Sequence, residues 1–169
     1  MTQLKQVQIQ GLLKDVSDNF AAIAPVGSDY GLGNLRVARF LFEWDGEDSA
    51  GAANSAVGAH GVGVTIPDAA IVVGGFFETN VVFDSAAHTA TIAIHVNAAN
   101  DIQTAAAVSG APWSTTGRKA IVPKANTPES TSIKLTAARE ITCTVAVQAL
   151  TAGTLIGYLY YVEGVAVGT

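Results

Sequence analysis

The sequence predicts an all-β protein, a jelly-roll-like antiparallel β-sandwich of about eight strands with an extended N-terminal arm and at most one short helix. Three observations predict it. Apolar residues alternate with polar or small ones through successive short stretches, turn signals separate those stretches, and only one brief segment suits a helix. An eight-stranded pattern of this kind is that of a double-sheet jelly roll.

The elements follow in order. Over residues 1–35, Gln3, Gln6, Gln8 and Gln10 interleave with Leu4, Val7 and Ile9, and Gly11, Leu12 and Leu13 lead to a glycine-rich stretch ending at Gly33. No period is sustained there, so the segment reads as an arm ahead of a sandwich domain over 36–169; an ordinary N-terminal edge strand on the domain's own sheet fits the same residues. Residues 36–44 form a strand with Ala38, Phe40, Phe42 and Trp44 on one face and Arg39, Leu41 and Glu43 on the other. Residues 46–58 are small and polar, too poor in bulky groups to pack, and are expected to be an exposed, mobile loop.

Val62, Val64 and Ile66 mark a strand that stops at Pro67 and Asp68, and a long strand over 70–83 follows. In it Ile71, Val73, Phe77, Val81 and Phe83 share one parity, and Gly74 with Gly75 marks a bulge or bend. A strand over 89–96 points Ile92, Ile94 and Val96 inward. Asn100 is placed to cap a helix over 101–108, with Gly110 as its stop. Residues 111–132 carry Pro112, Trp113, Pro123 and Pro128 and read mostly as loop; Ile133 and Leu135 make a short strand.

A hairpin closes the chain, with strands over 141–149 and 154–162 around Thr151, Ala152 and Gly153. In the first, Ile141, Cys143, Val145, Val147 and Ala149 share the inward parity. The second is apolar on both sides, with Ile156, Tyr158, Tyr160 and Val162 on one and Leu155, Leu159 and Tyr161 on the other. Such a strand needs two covers, the domain core and either a partner subunit or a folded-back arm.

Composition narrows the function. The 169 residues suffice for one domain, 49% are hydrophobic and only 14% are charged, against about 25% in an average domain, which suits a protein packed in an assembly. A net charge of −5 with nine scattered Lys and Arg residues argues against a nucleic-acid partner. The longest apolar run is too short to cross a bilayer, and no secretory signal opens the chain, so no membrane partner is expected. Cys143 is the lone cysteine, placed as a core residue, and no internal disulfide can form.

No constellation for catalysis, metal or cofactor is found. His60, His88 and His95 lack companions at ligand spacing, and Asp45, Glu47 and Asp48 crowd a turn without the spacing of a calcium loop. Gly27 to Gly33 lacks the Gly-Lys-Ser/Thr of a phosphate loop, and there is no nucleophile elbow or acid pair, so an enzyme is not expected.

Three stretches carry a resemblance: Val-Thr-Ile-Pro-Asp-Ala-Ala-Ile-Val-Val-Gly-Gly-Phe from Val64, Thr-Ala-Thr-Ile-Ala-Ile-His-Val-Asn-Ala-Ala-Asn-Asp-Ile from Thr89, and Leu-Thr-Ala-Ala-Arg-Glu-Ile-Thr-Cys-Thr-Val-Ala-Val-Gln-Ala-Leu-Thr-Ala-Gly from Leu135. Over about residues 60–162 the chain resembles small virion proteins of tailed bacteriophages, in particular jelly-roll head decoration or cement proteins. The resemblance implies a homo-oligomer, trimer or dimer, assembled in the host cytoplasm and bound to the major capsid protein at the capsid surface of the virion. Contacts are then expected from the arm (Leu4, Val7, Ile9, Leu12, Leu13), from Leu155, Leu159 and Tyr161 as the outer parity of the last strand, and from Trp113 as a loop anchor. The rivals are a tail, knob or fibre subunit and a host-surface glycan-binding module that would expose Trp44 and Trp113.

Overall fold

A computed structural model describes residues 35–123 and 132–163. Among these the chain forms nine strands and no helix: β1 (Leu35–Glu43), β2 (Gly58–Ile66), β3 (Ile71–Ser85), β4 (Thr91–His95), β5 (Gln103–Ala107), β6 (Gly117–Ile121), β7 (Ile133–Lys134), β8 (Arg139–Ala146) and β9 (Leu150–Val162). They build two antiparallel sheets. One has the order β1-β9-β3-β6, with β7 also paired to β3, and the other β2-β8-β4-β5. The expected sandwich is therefore present; the arm lies outside the described residues.

Strict alternation places the core. Ala38, Phe40 and Phe42 of β1, Leu155 and Leu159 of β9, Ile92 and Ile94 of β4, and Ile141, Cys143 and Val145 of β8 are all buried in one cluster between the sheets. Each fully buried Leu, Ile or Phe contributes about 1.5–3 kcal/mol over an exposed one. Trp113 lies at the centre, fully buried, its ring stacked on Phe77 at 5.1 Å and edge-on to Phe83 at 5.6 Å. Its indole N–H donates to the carbonyl of Ile92 at 3.2 Å, tying one sheet to the other.

The structure departs from the sequence reading at five places, each with a local cause. Residues 101–108 are not helical but contain β5. Asn100 adopts a left-handed φ of 67°, and the Asp101 carboxylate turns back to accept the N–H groups of Val96, Asn97 and Ala98, closing a turn behind itself and leaving no cap for a helix ahead. Within 111–132 the described residues are mostly turn and loop, as expected, but the reading missed β6, which pairs with β3 from Thr79 opposite Gly117 to Gly75 opposite Ile121.

The closing hairpin does not exist. β8 and β9 belong to different sheets, and Thr151, Ala152 and Gly153 lie inside β9. Val147 takes a left-handed φ of 71° at the crossing, which ends the alternation and leaves its side chain 71% exposed where burial was expected. In β3 the expected parity slips, because register shifts begin between Val72 and Gly74; Val72, Phe77 and Phe83 are buried while Val73 and Val81 face water.

The loop over 46–58 is also built rather than loose. Asp48 accepts the N–H groups of Ala50 (2.9 Å) and Ala52 (2.8 Å) and pairs with Nδ1 of His60 at 3.2 Å, both side chains nearly buried. The Nε2–H of His60 donates to the carbonyl of Ala56 at 2.8 Å, and Asn54 Nδ2 donates to that of Glu43 at 2.9 Å.

Candidate interaction face

Antiparallel register fixes what lies on the outside of the five-stranded sheet. Residues directly opposite across neighbouring strands share a face, so Arg39, Tyr158, Phe76 and Ala120 form one row and Leu41, Ile156, Glu78 and Arg118 the next. Val37, Tyr160 and Gly74 form a third. All have the parity opposite to Phe40, Phe77 and Leu159, which fill the core.

The centre of this face is aromatic. Phe76 stacks on Tyr158 with ring centroids 4.8 Å apart and meets Tyr160 edge-on at 6.2 Å. The Arg118 guanidinium sits 4.9 Å from the Phe76 centroid, and its Nη2 is 3.9 Å from Oε2 of Glu78. Beside these rings Val37 and Leu41 are 56% and 41% exposed, and at the end of the sheet Arg36 pairs with Glu163 at 3.1 Å. An apolar, ring-bearing centre with a charged rim is the composition of a protein-binding patch.

Four of the contact residues expected from sequence fall elsewhere. Leu155 and Leu159 are fully buried, Tyr161 packs partly buried against the core, and Trp113 has no exposed surface, so these four serve the sandwich's interior. The two parities of β9 are thus the reverse of the expectation. Burial of Trp113 also removes one of the two tryptophan platforms that a glycan-binding module would need. Leu4, Val7, Ile9, Leu12 and Leu13 lie outside the described residues.

Phe76, Ile156, Tyr158 and Tyr160 are the residues that the sequence reading missed. A signal for the last two existed: tyrosine keeps its hydroxyl hydrated at a wet face more readily than leucine tolerates exposure. A second was Gly157, on the same parity as Leu155 and Leu159, because a glycine in mid-strand marks close approach from a bulky neighbour.

The titratable groups have structural employment. The Asp48 carboxyl is held below its ordinary value chiefly by the Ala52 N–H, with Ala50 and His60 adding to it against the cost of burial. Asp84 is lowered in the same direction, first by His88, whose Nδ1 lies 2.5 Å away, and then by the N–H of Ser85. Burial lowers His95, with the Asp101 charge opposing. Burial alone pushes the Cys143 thiol up to about 12. Among the described residues no three His, Cys, Asp or Glu side chains converge as metal ligands.

No family profile matches the chain, and no curated protein matches it in sequence. Solved structures do match it in fold. A chain of the acid-stable capsid of Helicobacter pylori bacteriophage KHP30 aligns with a TM-score of 0.50 at 11% identity, over 76% of this chain and 86% of that one. A chain of the cyanophage Pam1 capsid asymmetric unit gives 0.52 at 23% identity, over 83% and 91%. A chain of the capsid of Ralstonia phage GP4 gives 0.54 at 17% identity, over 85% and 94%. The fold is one found in phage capsids. In each case the larger covered share is that of the capsid chain, so each matched chain is somewhat shorter than this one and is spanned almost whole.

Proposed function

We propose that this protein is a structural component of a phage virion, a decoration or cement protein that binds the major capsid shell from outside and strengthens it. One observation carries the reading: a sandwich shared with capsid chains somewhat shorter than itself keeps an aromatic face, centred on Phe76, Tyr158 and Tyr160, uncovered by any described part of the chain. Rings of this kind are the usual anchors of protein interfaces. Shell strengthening then follows from repetition, because modest contacts at many equivalent sites act together as the packaged genome strains the shell. The arm residues Leu4, Val7, Ile9, Leu12 and Leu13 would supply a second contact on neighbouring shell subunits.

The test uses particles. Mass spectrometry of purified virions should find the protein, and particles assembled without it should take up the added wild-type chain. Tyr158→Asp should lower occupancy by about tenfold or more while the melting temperature stays within a few degrees. Absence from virions would overturn the role, and undiminished occupancy of the variant would overturn the face.

A further inference from the structure

Each sheet has two edges, one of them shared by β6 and the two-residue β7, and an unpaired edge invites another strand unless something blunts it. Three of the four are blunted. β2 carries a register shift between Gly61 and Thr65, with Gly63 in a left-handed φ of 73° and its N–H taken by Glu140 Oε1 at 2.6 Å. β5 spans five residues, its pairing to β4 is interrupted between Ile92 and Ile94, and the N–H of Ala105 is taken by Asn100 Oδ1 at 3.2 Å. β6 is five residues long and carries Arg118 and Lys119.

β1 carries charges as β6 does, in Arg36 and Arg39, but it is neither short nor bulged. It runs nine residues without a register shift, contains neither proline nor lysine, and exposes Val37 and Leu41. The direction of its backbone groups is fixed by the Trp44 N–H, which donates to the carbonyl of Gly153 at 3.0 Å. Alternation then turns the even residues toward β9 and leaves the N–H and C=O of Val37, Arg39 and Leu41 pointing away from the sheet. Among the described residues the outward carbonyl is engaged only at Glu43, by Gly46 N and Asn54 Nδ2. On the same outer face Arg39 and Glu43 stand two residues either side of Leu41, and among the described residues neither forms an ion pair.

We infer that β1 pairs antiparallel with β1 of a second copy about a two-fold axis near Phe40. That register sets Arg39 opposite Leu41 of the partner subunit, so the hydrogen bonds at the centre use only backbone groups that no described residue engages. It also brings Arg39 diagonally against Glu43 of the partner subunit, and by symmetry each Glu43 against the other Arg39, within reach of such long side chains. The strand is self-complementary in charge, which is why a second copy of this chain is the occupant. The two sheets become one, and their aromatic faces merge into a single broad surface. This pairing goes beyond the capsid role and stands or falls separately from it.

Sedimentation velocity on the full chain reads the result. The wild type should dimerise, Arg39→Glu and Glu43→Arg should each weaken the dimer by about tenfold or more, and the double swap should restore it to within about threefold. Leu41→Pro should also abolish the dimer while leaving the monomer's circular dichroism unchanged, because the lost N–H points out of the sheet. A wild type that stays monomeric at about 100 μM, or a dimer indifferent to the charge reversals and to Leu41→Pro, would overturn the pairing. Uptake on particles, measured separately, keeps a failed dimer distinct from a failed capsid role.

Discussion

Phe40 lies directly opposite Gly157, and its ring occupies the space that a side chain there would take: a Cβ at Gly157 would fall 2.1 Å from Phe40 Cζ. Phe77 faces the same glycine from the other flank of β9. The position that Gly157 leaves vacant is thus filled by the Phe40 ring, between two strands that each set a phenylalanine opposite the glycine. Gly157→Ala should cost about 1–3 kcal/mol of stability by overpacking, read as a lower urea midpoint with an unchanged slope. A neutral result would mean that the rings relax without loss.

The two faces of β9 should separate stability from attachment. Leu159→Ala removes a fully buried side chain and should destabilise the fold by about 2–5 kcal/mol. Tyr158→Ala, on the outer face, should cost far less in thermal melting and yet lower particle occupancy.

Asp48 gives the fold an acid-sensitive loop. Its folded carboxyl lies below the ordinary value of 3.8, so the stabilisation is whole above that pH and fades as the pH falls through the folded value. Asp84 acts with the same sign. The melting temperature should therefore drop as the pH is lowered below about 4, and Asp48→Asn should be less stable than the wild type at neutral pH but show a shallower acid limb. Parallel acid limbs in the two proteins would assign the loss to other groups.

Cys143 should be inert in the folded chain. Its thiol is fully buried and pushed up to about 12, so thiolate is scarce at pH 8 and reagents have no path to it. Ellman's reagent should label it only after denaturation; rapid labelling of native protein would reveal opening of the core around β8.

Trp113 should report on the same core. Acrylamide should quench its emission poorly, and Trp113→Phe should cost about 1–3 kcal/mol by leaving the Ile92 carbonyl without its donor. Polysaccharides should leave its fluorescence unchanged.

Sequence legibility followed the regularity of the backbone. In β1, β4 and the body of β8 a strict two-residue period put Phe40, Ile94 and Cys143 inside, as their parity implied. It failed where one residue breaks the count: the shift after Val72 reverses β3, and the left-handed Val147 sends the chain to another sheet. It failed also where polar side chains serve the turn behind them, as Asp101 does, because the same letters spell a helix cap. For the interaction face, both parities of β9 are apolar, and only the phenylalanines opposite Gly157 decide which is inside. That decision rests on a partner strand more than a hundred residues away, as the separation of 127 between Arg36 and Glu163 illustrates.

The position of β9 between β1 and β3 has a consequence for how the molecule comes into being. While the polypeptide is emerging from the ribosome, two mid-sheet flanks wait for a tongue that has yet to be made, and nothing local can fill the gap. Fragments that stop short of β9 should therefore be cleared by proteases, and only finished copies should reach the pool of subunits.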